Sequence, residues 1–275
     1  MNVKVLIRSA QYAFLSVGTL IVLFPVYLTF VIAMKTQAET TKSFFAPPAR
    51  LYLDNFIAVI NKDGFFQFVR NSVYVTVISV ILMLIFIPMA SYAISRNFGK
   101  GYYRFLYLFI LSGIFVPFQA IMLPIYRHMS NLHLLNQNGL ILMHVTLAFA
   151  QGIFLCVGFL KHIPLELDEA SRIDGSGVWK TFTRIIYPLM MPINATILIL
   201  NSLWIWNDFQ LPLIILNRHP DYWTLPLFIY NFKSEYMFDY NLAFAGFFLS
   251  MMPIILLYVF AQKSIIGGLT EGALK

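Results

Sequence analysis

Apolar residues in this chain gather into six long runs, near 12–34, 73–94, 105–126, 139–160, 193–216 (with an approach from about 186) and 242–260. A bilayer core about 30 Å thick takes about 20 helical residues to cross, so each run predicts one transmembrane helix. The first run is too long for a signal-peptide core and is followed by no small-residue cleavage site, so it reads as a retained span. Against this background one stretch stands apart. Residues 164–192, PLELDEASRIDGSGVWKTFTRIIYPLMMP, form a polar, charge-rich island between two apolar runs and must face water.

Composition supports an integral membrane protein: 59% of residues are apolar, 17% aromatic and 11% charged, where a soluble domain carries about a quarter charged. No polar stretch is long enough to fold separately, so residues 1–275 read as one all-α domain. The net charge of +7 is first a topology signal. With the N-terminus inside, Lys4, Arg8, Arg96, Lys100, Arg104, Lys161, Arg172, Lys180, Arg184, Lys263 and Lys275 are cytoplasmic, 11 of the 19 basic residues. Of the other eight, Lys35, Lys42, Arg50, Lys62 and Arg70 are spread along one long outer loop, leaving Arg127, Arg218 and Lys233 for the rest. Both termini and the island are therefore expected in the cytoplasm. Cys156 is the only cysteine, which excludes an intrachain disulfide.

Within the island, Pro164 suits the first turn of a helix, and Glu166, Asp168 and Glu169 follow where the helix dipole favours carboxylates. Leu167, Ala170 and Ile173 recur every third residue, giving a narrow apolar edge, and Gly175 is placed to end the helix in a left-handed conformation. From Glu166 to Arg184 the acids gather first, at Glu166, Asp168, Glu169 and Asp174, and the bases towards the end, at Arg172, Lys180 and Arg184. Such a surface suits another protein better than an anionic lipid; a solvated loop with no partner is the plainer alternative.

Glu169-Ala170-Ser171-x-x-Asp174-Gly175, followed by Ile185-Ile186-Tyr187-Pro188 and Pro192, resembles the EAA loop of ATP-binding-cassette importer permeases. FLKHIPLELDEA (159–170), WNDFQLPL (206–213) and IIGGLTEGALK (265–275) are similar to the maltose-type carbohydrate subfamily. FPVYLTFVIAMKT (24–36) and Arg70-Asn71-Ser72 extend the likeness more loosely into the first half. Ser171, Ser176 and Tyr187 are small departures from the pattern. The resemblance implies a type I importer permease fold with six spans, in a bacterial or archaeal cytoplasmic membrane. It implies that the loop 161–187 carries a coupling helix, with Glu169, Ala170, Ser171, Asp174, Gly175 and Pro188 as the ATPase-coupling residues. It further implies a companion permease forming a heterodimeric pore, two ATP-binding-cassette ATPase subunits holding ATP and Mg, an extracytoplasmic solute-binding protein, and an oligosaccharide-type substrate. The C-terminal tail is expected to be ordered against that assembly.

The chain has no G-x-x-x-x-G-K-[ST] stretch, so no phosphate-cradling loop of its own, and no H-E-x-x-H or G-x-S-x-G. His128, His133, His144, His162 and His219 have no compact metal spacing. No catalytic residue, metal or cofactor is therefore expected in this chain, and no nucleic-acid partner. His144, alone in an apolar run, reads as a helix-packing hydrogen bonder.

Asn194, Asn201 and Asp208 follow one another at seven-residue intervals with Trp204 between, near one face of the fifth span. An ionisable group in a span costs at least about 2.5 kcal/mol, so Asp208 should face a cavity or a polar partner. Ser112, Gln119 and Tyr126 repeat the interval in the third span, and His144 and Gln151 share one side of the fourth. Gln119, Gln151, Asn194, Asn201, Trp204 and Asp208 are the candidate pathway residues for a neutral, hydroxyl-rich solute; for any one of them, bonding between helices is the alternative. The loop 35–70, with Pro47-Pro48, is long enough to meet the external binding protein or the companion permease. Two other functions remain open: a related permease for a non-sugar solute, and a secondary transporter driven by protonation of Asp208. An evident internal repeat, which would favour the latter, is missing.

Overall fold

Two of the places where these apolar runs bend lie at prolines, Pro117 and Pro188. The computed structural model describes residues 3–231 and 239–271; Lys233 and residues 272–275 of the C-terminal tail lie outside them. Among the described residues the chain is helical and has no strand. In chain order the helices are α1 (Val3–Ala33), α2 (Gln37–Lys42), α3 (Asp54–Ile60), α4 (Phe65–Arg96), α5 (Gly101–Ser112), α6 (Phe118–Asn131), α7 (Gln137–Leu160), α8 (Glu166–Ile173), α9 (Val178–Leu189), α10 (Met191–Asn207), α11 (Gln210–Leu216), α12 (Leu225–Tyr230) and α13 (Tyr240–Glu271). Among the described residues three, over Ile7–Ala33 and the whole of α4 and α7, are long and apolar enough to cross a membrane; the count reaches five if α5 with α6 and α9 with α10 are each one bent span. The sixth apolar run lies within α13.

The chain divides into two compact units, Met1–Phe66 with Phe228–Pro253, and Gln67–Leu227 with Ile254–Lys275. In the first, the end of α1 leaves carbonyls that its own helix cannot satisfy. Two asparagines take them up. Asn55 Nδ2 donates to the carbonyls of Ala33 and Lys35, both at 2.8 Å, and Asn241 Nδ2 donates to those of Ile32 and Lys35 at 2.9 Å and to Thr40 Oγ1 at 2.8 Å. Phe248 packs on Phe30 and Phe56, with ring centroids 5.5 and 5.7 Å away. The outer segment is thus ordered, with α2 opened by a capping box between Thr36 and Glu39. The backbone N–H of Thr36 holds the Glu39 carboxyl below its usual range.

In the second unit, Met83 and Ile87 of α4, Ile153, Cys156 and Leu160 of α7, and Ile197 of α10 are buried in one apolar core. Gly152 lets α7 approach α4: a Cβ there meets Ile87 Cδ1 at 2.6 Å. The run expected as one span over 105–126 is instead two helices, α5 and α6, bent by 105°. Pro117 accounts for the break. It forces Val116 out of the helical region, to ψ 114°, after a single 3-10 turn at Gly113–Phe115. The seam expected through Ser112, Gln119 and Tyr126 is corrected accordingly, since Ser112 lies on α5 and the other two on α6.

The fifth span also bends. α9 meets α10 at 73°, and Pro188 lacks the N–H that would continue the ladder. The helix widens into a π turn at Phe182–Ile186, where the Tyr187 N–H reaches back to the carbonyl of Phe182. At its other end α10 stops at Asn207, because Asp208 turns to ψ 128°. The expected continuous helix over 193–216 is therefore α10 and α11, and Asp208 leaves the face shared by Asn194 and Asn201.

Gly152→Val should lower the stability of the detergent-purified protein by about 1–3 kcal/mol, seen as a reduced thermal midpoint, through overpacking against α4. Adding Ile87→Ala should recover part of the loss. An unchanged midpoint for the single variant would contradict the close α4–α7 approach.

Candidate functional site

The polar island folds as α8 and the start of α9. α8 begins two residues after Pro164 and carries Glu166, Asp168 and Glu169 in its first turn. It closes with two hydrogen bonds, Gly175 N–H to the Arg172 carbonyl at 3.0 Å and Ser176 N–H to the Ser171 carbonyl at 2.9 Å. Gly175 sits at φ +76°, the left-handed position that such a close needs and that a side chain disfavours.

One face of α8 is outward. Glu169, Ala170, Asp174 and Gly175 are exposed, beside Ile173 at 86% exposure and Trp179 at 64%. Apolar side chains so open, rimmed by acids and by Arg172 and Lys180, form an exposed surface of mixed chemistry. The opposite face turns into the protein. Asp168 is 4% exposed; Oδ1 accepts the Tyr92 hydroxyl, and Oδ2 lies 2.9 Å from Arg96 Nη2, an ion pair too poorly aligned to count as a hydrogen bond. Arg96 Nη1 donates to the carbonyls of Ile163 at 3.1 Å and Leu160 at 3.4 Å, where α7 ends. Ser171, placed by sequence among the coupling residues, is also buried, its hydroxyl 2.9 Å from that of Thr181. Pro188 lies two residues after the π turn. Sequence reasoning missed the Tyr92–Arg96–Asp168 cluster. Arg96 had been counted only for topology, although a basic residue closing one span and an acid in the next cytoplasmic island is the available signal.

The second candidate site is a cavity of about 290 Å³ whose wall includes Gly113, Phe118, Gln151, Trp204, Asp208 and Gln210. The break after α5 and the break after α10 both open onto it. Asp208 Oδ1 accepts the Gln210 N–H at 3.0 Å and so caps the first N–H of α11 from the residue before its N-cap, Phe209. Asp208 Oδ2 is 3.0 Å from His144 Nε2. Trp204 stands edge-on to His144, centroids 5.2 Å apart. Gln151, Trp204 and Asp208 are thus brought together as sequence suggested, and Gln210 joins them. The others are not. Gln119 is exposed outside the cavity wall, Asn201 Nδ2 donates back to its own helix at the Ile197 carbonyl, and Asn194 is buried with both side-chain polar atoms unbonded within the chain. A larger hollow of about 710 Å³ shares part of this wall but is lined almost wholly by apolar side chains, so the polar chemistry belongs to the smaller one. Among the described residues no cluster of His, Cys, Asp and Glu is arranged to hold a metal ion.

Residues 85–269 match the family model described as "Binding-protein-dependent transport system inner membrane component". The chain belongs to this family. Family membership and the apolar helices make it a multi-pass protein of the cytoplasmic membrane. It is 42% identical over 267 residues, covering 96% of each chain, to the multiple sugar-binding transport system permease protein MsmG of Streptococcus mutans serotype c. It is 33% identical, over 91% of each chain, to AmyC of Thermoanaerobacterium thermosulfurigenes, a probable starch degradation products transport system permease protein. These relatives are transport permeases rather than enzymes. A crystal structure of a bacterial ABC transporter involved in the import of the acidic polysaccharide alginate shares the fold, with TM-score 0.79 and 22% identity over 96% of this chain and 98% of that one.

Asp208→Asn keeps one side-chain oxygen as acceptor for the Gln210 N–H and puts an amide in place of the oxygen that faces His144, so its thermal midpoint should fall less than that of the alanine variant. Asp208→Ala loses both and should be less stable by about 1–2 kcal/mol. Equal falls for the two variants would contradict the capping role.

Proposed function

We propose that this chain is the permease subunit of a carbohydrate importer, moving a solute of the oligosaccharide class across the cytoplasmic membrane while separate subunits hydrolyse ATP. The observation that carries this is the 42% identity, over nearly the whole chain, to a permease named for multiple sugars. Residues 1–275 act as one permease domain. A second permease completes the pore as a heterodimer, two ATPase subunits bind ATP and Mg, and an external binding protein delivers the solute. This chain itself binds no cofactor.

The outward face of α8, with Glu169, Ala170, Asp174 and Gly175, docks on the ATPase, while Ser171 and Pro188 support it from within: Ser171 through Thr181, Pro188 through the bend that leads into α10. Closure of the ATPase pair moves α8 as a rigid lever and rocks the spans between inward-open and outward-open states, a two-state transition. The cavity wall supports a neutral substrate. It offers the amides of Gln151 and Gln210, the carboxylate of Asp208 and the ring of Trp204, and no Lys or Arg. Hydroxyls match such donors and acceptors, and an indole matches the apolar face of a sugar ring, whereas an anionic glycan meets like charge.

In proteoliposomes holding the complete transporter, Glu169→Ala or Gly175→Ala should lower uptake about tenfold or more, a coupling loss of about 1.4 kcal/mol, or strip the ATPase from the purified assembly. Normal uptake with normal co-purification would overturn the lever role. Asp208→Asn should reduce uptake of a neutral oligosaccharide while the assembly stays whole. Loss of the folded assembly in that variant would assign Asp208 to structure alone.

A further inference from the structure

Asp168 is an acid, 4% exposed and turned away from the surface that its neighbours Glu169 and Ala170 present. A carboxylate buried in this way needs matched partners, and both come from the last turns of α4. The Tyr92 hydroxyl donates to Oδ1, and the Arg96 guanidinium lies 2.9 Å from Oδ2. The same guanidinium donates to the carbonyls of Leu160 and Ile163. One side-chain cluster thereby joins the end of α4, the end of α7 and the first turn of α8. The far end of α8 is held separately, by Ser171 on Thr181. Tyr92 is braced in turn by Phe182, ring centroids 5.2 Å apart, and Arg96 lies 5.8 Å from the centre of the Tyr92 ring.

We infer that Tyr92, Arg96 and Asp168 are positioning residues for energy coupling, an ionic anchor that makes α8 move with the inner ends of α4 and α7 rather than pivot independently on its flanking loops. This rests on α8 being the ATPase-docking element. A helix of eight residues joined to the spans by flexible loops alone would absorb a push from its partner in those loops. With a charged anchor at its first turn, displacement of α8 reaches two spans directly. The hydrogen bond from Tyr92 fixes which way the carboxylate points, so its removal loosens the anchor without removing a charge.

The test uses the complete transporter in liposomes, with ATPase subunits and binding protein present, and reads the solute imported per ATP hydrolysed. A purely structural role lowers uptake and hydrolysis together, with the amount of assembled protein, and leaves that ratio unchanged. Tyr92→Phe keeps the ring against Phe182 and should lower the ratio about threefold; Asp168→Asn, which also removes the charge, should lower it about tenfold, with ATPase still co-purifying. A ratio equal to that of the unaltered protein in both variants overturns the anchor. If Asp168→Asn does not assemble, Tyr92→Phe decides alone. Glu169→Ala separates this inference from the one beneath it. If Glu169→Ala uncouples while the other two do not, only the anchor fails. If none of the three changes the ratio, the docking role of α8 fails with it.

Discussion

Backbone amides in hydrocarbon have no water to turn to, so a chain that crosses a membrane must satisfy them internally or break its helices only where something else does so. This constraint governs the architecture. α4 and α7 run unbroken and carry the apolar core, and the departures from straight helix fall where a side chain or a modified turn takes over. Asp208 accepts the first free N–H of α11. The π turn at Phe182–Ile186 gives the Tyr187 N–H a carbonyl one residue further back, immediately before the proline that has no N–H to offer. Arg96 serves the carbonyls left at the end of α7. Two of the breaks, after α5 and after α10, border the same polar cavity, as expected if irregular backbone at this depth is tolerated where it lines a cavity.

The positions of the apolar runs were legible because length and hydrophobicity are local properties. The island was legible for the same reason, down to the left-handed Gly175 that closes α8. What periodicity could not supply was the path of the third and fifth spans. A seven-residue interval places residues on one face only if the helix continues between them. Pro117 and Asp208 interrupt it, and the seams drawn through Ser112–Gln119–Tyr126 and Asn194–Asn201–Asp208 dissolve. Pro117 and Gly113 were visible signals that hydrophobicity outweighed. Asp208 was harder, since an aspartate ends a helix only when a following N–H is there to accept.

Pairings across the sequence lay beyond reach for a different reason. Tyr92 and Asp168 are separated by 76 residues and His144 and Asp208 by 64, and no local pattern marks such partners. Composition does show that a buried carboxylate needs one. For Asp208 that argument led to a polar partner or a cavity, and the structure provides both. For Asp168 the helix dipole supplied a sufficient local reason for an acid, which hid the stronger demand made by its burial.

The two candidate regions are connected through α7. His144, near its start, holds the Asp208 carboxylate at the cavity wall, and Leu160, its last residue, supplies one carbonyl to the Arg96 anchor under α8. At 1.5 Å per residue these points are about 24 Å apart along one helix. That helix is packed through Leu140, Ile153, Cys156 and Val157, all fully buried, and pressed against α4 at Gly152. A helix packed in this way along one side has little freedom to bend towards its neighbours, because close-packed interiors transmit displacement rather than absorb it. On the proposed lever reading, motion imposed at its inner end is carried along α7 towards the carboxylate–imidazole pair. There the break between α10 and α11 offers the compliant backbone on which a change of cavity shape can act.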